Sequence, residues 1–233
     1  MVEQGIATVA LSLDDLYYTR TERLRLAELV HPLLATRGVP GTHDAKLGLA
    51  TLDALARGKA VRLPRFDKAR DDRCPDTECD TAPSGTRLVL FEGWCLGAQP
   101  QPSGTLAAPI NSLEADEDDQ AIWRNHINAA LAHDYAALWA RIDAMAMLRA
   151  PDFAAVTGWR QQQEHALRAT AGAAPGVMSD DAVARFVAHY ERVTRQLLVD
   201  LPGRSDLVIE LDEVRRATRI DARYCAASPS TPF

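Results

Sequence analysis

A short apolar segment that ends in two acids constrains the fold of this chain more than any other feature. In Gly5–Tyr18 (GIATVALSLDDLYY), the side chains between Ile6 and Leu13 are almost continuously apolar, which is typical of a strand buried on both faces of a parallel sheet. The run ends at Asp14 and Asp15. Ligands of open α/β sheets bind at the carboxyl ends of the strands. Two interpretations stay open: the acids serve a functional site, or they cap the turn that follows the strand.

A second apolar segment repeats this arrangement. Arg87–Phe91 (RLVLF) is followed at once by Glu92, so an acid again stands at the carboxyl end of a predicted strand. Further strands are predicted at Ala60–Leu63, Asp143–Leu148 and Leu207–Ile209. Two such strands facing one edge of a sheet strengthen the case for a site there.

Helical patterns separate these strands. Helices are predicted after the capping box Thr19-Arg20-Thr21-Glu22, at Ala45–Ala56, at Asp119–Ala140, at Phe153–Ala171 and after Ser179. In the third of them, one face carries Trp123, Ile127, Leu131, Tyr135 and Leu138. Because strands and helices alternate, the sequence predicts an α/β fold with a parallel sheet and helices on both faces.

The length and composition fit one domain. A chain of 233 residues with 47% hydrophobic content can bury a substantial core without dividing. We expect a single α/β domain over residues 1–220 and a disordered tail over 221–233, where Ala226–Phe233 (AASPSTPF) has a composition typical of disorder.

The charge and the cysteines exclude several classes of partner. A net charge of −6 argues against a nucleic acid or an anionic membrane surface as the main partner. No apolar run is long enough to span a bilayer, and MVEQG at the N-terminus has no signal-peptide character. The four scattered cysteines suit a reducing cytoplasm. Cys74 and Cys79 are the only close pair, and with no second pair at ligand spacing we expect no zinc site.

Two loops carry further polar candidates. Ala35–Asp44 (ATRGVPGTHD) contains two glycines and a proline, so its backbone must turn sharply, and Thr42 or Asp44 is expected to cap the next helix. Pro64–Arg73 (PRFDKARDDR) gathers charges of both signs around Phe66. A solvated loop is the simpler interpretation of that cluster.

Several of these segments together resemble one family, the plant-type D-glycerate 3-kinases and their bacterial relatives, which are P-loop kinases related to uridine kinase, phosphoribulokinase and pantothenate kinase. The matching segments, in chain order, are LSLDDLYYT at Leu11–Thr19, RGVPGTHD at Arg37–Asp44, LPRFDKARDDR at Leu63–Arg73, LVLFEGWCLG at Leu88–Gly97, WRQQQE at Trp159–Glu164, MSDDAVARFVAHY at Met178–Tyr190 and LVIELDEVRR at Leu207–Arg216. Each is weak alone, and their shared order makes the resemblance specific.

The resemblance implies an ATP- and Mg²⁺-dependent kinase that phosphorylates a hydroxyl of a small organic acid, most simply D-glycerate. Asp14 is then expected to accept the hydroxyl proton or to hold a water on Mg²⁺. Asp15 is the second candidate for that role: Asp14 is favoured because it stands first after the strand, and capping of the following turn is the alternative for Asp15. Glu92 resembles the Walker B acid, which reaches Mg²⁺ through water.

Basic and polar residues complete the implied site. Arg65 and Lys68 are candidates for the substrate carboxylate. Arg73 is a third candidate, with pairing to Asp72 as its alternative. His43 and Asp44 are candidates for touching substrate, with helix capping as the alternative for Asp44. The resemblance also makes Arg160 and Arg168 lid arginines that close over the ATP phosphates.

Two departures from the family pattern stand out. The smaller is Leu16, where the family has an aromatic residue. The larger is the Walker A loop, GxxxxGK[ST], which holds the β- and γ-phosphates and is not present in the 233 residues. Gly58-Lys59, the one Gly-Lys pair, is followed by Ala60. We therefore expect a kinase domain without its first strand and Walker A loop. A catalytically inactive relic that does not bind ATP is the rival interpretation.

Overall fold

The computed structural model describes residues 5–171 and 178–223. The chain divides into two compact units, Met1–Arg141 and Ile142–Phe233, and each is described by itself. The predicted single domain over residues 1–220 stays a prediction. Most of the predicted tail, residues 224–233, lies outside the described residues, whereas Asp221 and Ala222 belong to a strand.

The first unit has six short strands and five helices in its described part, which begins at residue 5. In chain order they are β1 (Thr8–Ser12), α1 (Arg20–Leu29), α2 (Ala45–Ala56), β2 (Val61–Arg62), β3 (Phe66–Asp67), β4 (Asp72–Arg73), β5 (Thr81–Ala82), β6 (Leu88–Glu92), α3 (Ser112–Glu117), α4 (Ile122–Ala130) and α5 (Ala136–Trp139). A 3₁₀ turn, Leu13–Leu16, follows β1 directly.

The predicted parallel pairing of the first two long strands is confirmed. β1 and β6 are parallel, with Ser12 opposite Glu92. Burial on both faces is a wrong prediction for this pair, because the register partners Ala10 and Leu90 are both exposed. The opposite face is covered: Val9 and Val89 pack against a buried cluster of Leu55, Leu63 and Ala82, which connects the pair to α2 and to the small β2–β5 sheet. Burying one face is enough to fix the register.

The helix predicted at Asp119–Ala140 is interrupted. Between α4 and α5 the segment Leu131–Tyr135 forms a π-helical turn. The apolar positions 123, 127, 131 and 135 follow one another in steps of four, and each such step overshoots one turn of an α-helix by about 40°. The wider π turn corrects that drift. The whole predicted face is accordingly buried, including Trp123 and Tyr135 at 1% exposure.

The second unit contains three strands and two helices in its described residues: β7 (Ala146–Arg149), α6 (Phe153–Ala171), α7 (Asp180–Asp200), β8 (Leu207–Leu211) and β9 (Ala217–Ala222). β7 and β8 are parallel, as predicted, and β9 adds an antiparallel strand on the other edge of β8 that the sequence did not predict. The two helices pack through Phe153, Val183 and Val187.

Local capping signals were reliable. Thr19 and Glu22 form the predicted capping box of α1, and Ser179 caps α7 through a bond from the Ala182 N–H. Asp44, one of two candidates, caps α2 through a bond from the Leu47 N–H at 2.9 Å. In the part of the chain that is described, no helix has the length and apolarity that crossing a membrane requires.

Candidate functional site

The end of β1 presents two acids on a rigid turn. The Ser12 hydroxyl accepts a hydrogen bond from the Asp14 N–H at 3.3 Å, so Ser12, and not an acid, caps the turn. Leu13 and Leu16 are fully buried beneath it. Gly93, just after β6, has no room for a side chain, because an added Cβ would lie 2.6 Å from the Leu13 Cβ. This close packing anchors the turn to the end of the neighbouring strand.

Asp14 is held from two sides as a carboxylate. The Tyr17 hydroxyl donates to its Oδ1 at 2.7 Å, and Lys68 Nζ donates to its Oδ2 at 2.7 Å. Burial by itself would raise the pKa of Asp14, but the hydrogen bonds from Lys68 and Tyr17 outweigh it and the pKa is lowered. Asp14 is therefore ionised at neutral pH, in the state a general base or a magnesium ligand needs.

Asp15 binds the charged loop and does not cap its own turn. Arg65 Nη1 donates to its Oδ2 at 2.9 Å, and the Phe66 N–H donates to its Oδ1 at 3.0 Å. The carboxylate thus connects the end of β1 to the start of β3. The cluster at Pro64–Arg73 is consequently no free solvated loop: it contains the β3–β4 hairpin and supplies cations to both acids.

A third ion pair joins the two polar loops. Arg73 Nη2 lies 3.1 Å from Asp44 Oδ2, and its Nε donates to the Tyr17 carbonyl at 2.9 Å. Asp72 instead accepts from backbone N–H groups, those of Arg73 at 2.8 Å and Arg20 at 3.3 Å. The alternative in which the Arg73 guanidinium pairs with the Asp72 carboxylate is therefore wrong. Asp44 serves both as a helix cap and as an ion-pair partner.

His43 lies beneath this layer of charges at 2% exposure. Its ring stacks on Tyr17 with 4.5 Å between centroids, and its Nδ1 lies 2.5 Å from the Tyr135 hydroxyl. Burial lowers the pKa of His43 to about 3, with the charge of Asp14 opposing the shift. The imidazole is therefore neutral at physiological pH.

Seven of the eight candidates in the first unit thus meet in one cluster: Asp14, Asp15, His43, Asp44, Arg65, Lys68 and Arg73. Glu92, the eighth, lies exposed at the end of β6, beside Ser12 in the strand register. Within the described residues, no group of three or more His, Cys, Asp or Glu side chains is placed to hold a metal ion.

Known proteins similar to this chain are kinases. An uncharacterized kinase of Schizosaccharomyces pombe, mug58, is 35% identical over 200 residues, which cover 82% of this chain and 70% of the relative. The chloroplastic D-glycerate 3-kinase of Arabidopsis thaliana is 31% identical over 226 residues, 89% of this chain and 46% of the plant protein. The chain belongs to the D-glycerate 3-kinase family. No family model matches it.

The solved structures support the same assignment. The structure of D-glycerate 3-kinase from Cryptococcus neoformans superposes on this chain with a TM-score of 0.76 at 27% sequence identity. The superposed region covers 95% of this chain and 81% of the Cryptococcus chain. This chain spans about half the length of the plant relative. The fold is therefore that of a glycerate 3-kinase, and activity and substrate are matters of proposal.

The two arginines predicted as lid residues of this glycerate 3-kinase-like chain lie on α6 in the second unit. Arg160 pairs with buried Glu164 at 2.9 Å, and its guanidinium lies over the Phe186 ring at 5.6 Å. Arg168 donates to the Met178 carbonyl at 2.7 Å and pairs with Asp180 at 2.6 Å. Both are thus engaged within their own unit, and their predicted role at ATP phosphates stays a prediction.

Sequence reasoning missed two residues that build the site of this family member, Tyr17, which holds Asp14, and Arg23. Arg23 on α1 is 2% exposed, and its guanidinium donates to three backbone carbonyls, those of Tyr18, Ala35 and Asp71. It also lies 2.8 Å from an Asp71 carboxylate oxygen. Arg23 thereby connects the turn that bears the acids to both polar loops. A single arginine in a polar helix forms no sequence pattern from which burial and this connecting role could be predicted.

Proposed function

We propose that this chain transfers the γ-phosphoryl group of ATP to a hydroxyl of a small organic acid, with D-glycerate as acceptor and 3-phosphoglycerate as product. The observation that carries the proposal is Asp14: an ionised carboxylate at the end of a parallel strand, held by Tyr17 and Lys68, in a chain of the glycerate 3-kinase family. Phosphoryl transfer depends mainly on positioning and charge stabilisation, and this cluster supplies both.

Asp14 acts as the base in this proposal. Its lowered pKa keeps it deprotonated, so it can accept the proton of the attacking hydroxyl when a substrate oxygen replaces Lys68 at Oδ2. Tyr17 keeps Oδ1 occupied and leaves Oδ2 for the reaction. Asp15, tied to Arg65 and to the Phe66 N–H, supports the neighbouring loop.

The cations of the cluster bind the carboxylate of the acid. Arg65, Lys68 and Arg73 are each paired with one acid of the cluster, Asp15, Asp14 and Asp44 respectively. Lys68 is the most exposed of the three, at 62%, so an incoming anion can draw it away from Asp14 at little cost, because exposed ion pairs are weak. That exchange frees the base as the substrate binds.

Magnesium fits the residues present. Mg²⁺ binds oxygen ligands, keeps several waters, and needs only one or two protein carboxylates beside the substrate phosphates. Glu92 ends β6 and Asp14 lies in the turn that follows β1. Each carboxylate would hold the ion through a water, and Asp14 would do so as the alternative to acting as the base. The ion would neutralise charge on the transferred phosphoryl group.

ATP binding distinguishes the proposed kinase from the rival function, a catalytically inactive relic. The 233 residues contain no GxxxxGK[ST] sequence, which favours a relic that binds a small acid without binding ATP. In the kinase proposal, Arg160 and Arg168 contact the ATP phosphates. The protein acts in the cytoplasm under either proposal.

The test combines calorimetry with an assay for product. The purified 233-residue chain is titrated with ATP and Mg²⁺, and separately incubated with ATP, Mg²⁺ and D-glycerate, while 3-phosphoglycerate is measured by a coupled reaction. Micromolar ATP binding with 3-phosphoglycerate formation supports the kinase. Binding of D-glycerate with neither ATP binding nor product supports the relic, and glycerate-independent ATP hydrolysis contradicts both.

A further inference from the structure

Tyr135 is a buried residue that the proposed reaction does not use. It lies at the end of the π-helical turn Leu131–Tyr135 and is 1% exposed. Its hydroxyl oxygen accepts a hydrogen bond from the Gly41 N–H at 3.0 Å and lies 2.5 Å from His43 Nδ1. π turns inside helices occur frequently at functional sites. This one places a single hydroxyl against the loop that carries His43 and Asp44.

Counting protons fixes the direction of the bond between Tyr135 and His43. A phenol has one proton to donate, and a neutral imidazole has one donor and one acceptor nitrogen. Within the described residues, His43 Nδ1 is the acceptor that the Tyr135 proton can reach. If Nδ1 donated instead, the phenol proton would be buried without an acceptor, at a cost of about 1–3 kcal/mol. Tyr135 therefore donates to Nδ1, and the imidazole proton is on Nε2.

The Nε2–H group is a donor with no acceptor in the part of the chain that the structure describes. It is buried, and such a group costs stability unless a partner is supplied. The ring stacks on Tyr17, whose hydroxyl donates to Asp14, and Asp14 is the charged group whose field acts on the imidazole. The unsatisfied donor thus belongs to the assembly that holds the proposed base.

We propose that Tyr135 is a positioning residue: its hydroxyl holds the neutral His43 ring so that Nε2–H donates a hydrogen bond to an oxygen of the small acid bound beside Asp14. The identity of the acid rests on the proposed function, whereas the tautomer does not. A neutral donor complements the cations that bind the carboxylate, because Nε2–H has no acceptor among the residues that the structure describes.

The tautomer is tested by NMR on the full chain labelled with ¹⁵N-histidine. A His43→Gln variant identifies the His43 signals by their loss. Wild type is expected to show Nε2 protonated and Nδ1 unprotonated. Tyr135→Phe keeps the ring but removes the hydroxyl, so its His43 is expected to show a mixture of the two tautomers. Tyr190→Phe, the same substitution on α7, leaves the wild-type pattern unchanged. Protonation at Nδ1 in wild type, or an unchanged pattern in Tyr135→Phe, overturns the proposal.

The donor role is tested with D-glycerate as the probe. D-glycerate is expected to shift the Nε2–H signal of His43, and sodium chloride at equal ionic strength is not. Tyr135→Phe is expected to bind D-glycerate about tenfold more weakly, the loss of about one hydrogen bond to a charged group, and to raise KM for D-glycerate more than it lowers kcat.

The outcomes separate this inference from the proposed function. Product formation without a glycerate-induced shift of the Nε2–H signal supports the kinase and contradicts the positioning role of Tyr135. A shift of the Nε2–H signal without product formation supports the positioning role of Tyr135 and contradicts the kinase. Absence of both overturns both proposals.

Discussion

Asp14 differs from its neighbour Asp15 in what its oxygens contact. Asp14 bonds two side-chain donors, one of them the exposed and movable Lys68, whereas Asp15 bonds Arg65 and a backbone N–H. A carboxylate whose partner can leave is free to take part in the reaction, whereas a carboxylate that bonds a backbone N–H stabilises the fold. The sequence favoured Asp14 only by its position, first after the strand, because adjacent residues of one type carry the same chemical signal.

The first prediction follows from that difference. Asp14→Asn keeps the size of the side chain but removes the base, so kcat for D-glycerate phosphorylation should fall at least about 100-fold. Thermal unfolding should change little, because Asn still accepts a bond from Tyr17. Asp53→Asn is the matched control: Asp53 lies on α2, and its substitution removes an exposed ion pair to Arg141. This variant should keep full activity. Near-normal turnover of Asp14→Asn would exclude the base role.

The second prediction concerns the buried neutral His43. Its pKa is about 3 in the folded protein, against the ordinary histidine value of 6.5 in the unfolded chain. Between these values the unfolded chain binds a proton that the native state does not. Stability must then fall as the pH drops through 6.5. From about pH 7.5 to about pH 5.5 the loss from this one group is about 1.4 kcal/mol.

Urea denaturation at the two pH values measures that loss. Burial also lowers the pKa of His126, so His126 adds a loss of stability of the same sign. Histidine variants separate the two contributions. His43→Gln should lose less stability on acidification than wild type by about that amount, while His133→Gln should behave like wild type. An equal pH dependence in His43→Gln and wild type would show that the ring is not buried neutral.

At the scale of elements, the sequence predicted what depends on local periodicity and missed what depends on distant contacts. The capping box at Thr19, the helix Ala45–Ala56 and the helix Phe153–Ala171 match the structure in position. The π turn and β9 were missed, since each is determined by what it packs or pairs against. The contact of Tyr135 with His43 spans 92 residues, so the apolar periodicity predicted the burial of Tyr135 but not its partner.

The third prediction tests the arginine that joins these elements. Arg23→Met removes the donors of three backbone carbonyls and of the Asp71 carboxylate. Breaking one side of a buried ionic cluster costs about 3–5 kcal/mol, and the urea midpoint should fall accordingly. Arg25→Met, on the exposed side of the same helix, should change stability by less than about 0.5 kcal/mol.

A loss below about 1 kcal/mol in Arg23→Met would show that the three segments are held by other contacts. D-glycerate affinity gives an independent measure, because the loop that carries Lys68 depends on this anchor. Weaker glycerate binding in Arg23→Met, under conditions where the variant is folded, is the expected result.

At the scale of the whole molecule, the parallel pairing was predictable and the exposure of the strands was not. Near-continuous apolar runs such as RLVLF are typical of strands covered on both faces. In the described residues β6 pairs only with β1, and β7 pairs only with β8. Leu90 on β6 is 49% exposed and Leu148 on β7 is 69% exposed. A sequence pattern states that a side chain is apolar but does not state which surface covers it.

The last prediction concerns these two strands. Among the described residues each of the two strands pairs along one edge only. An apolar strand with an unpaired edge pairs readily with other chains, so the protein should self-associate at high concentration or on mild heating. The double variant Leu90→Lys/Leu148→Lys should reduce light scattering under both conditions. Leu24→Lys/Leu29→Lys is the matched control: it adds the same charge at leucines of similar exposure, 48% and 71%, on α1. Because a helix surface offers no unpaired backbone groups, this control should scatter as wild type does. Equal protection by the two variants would mean that added charge, and not the open strand edges, determines solubility.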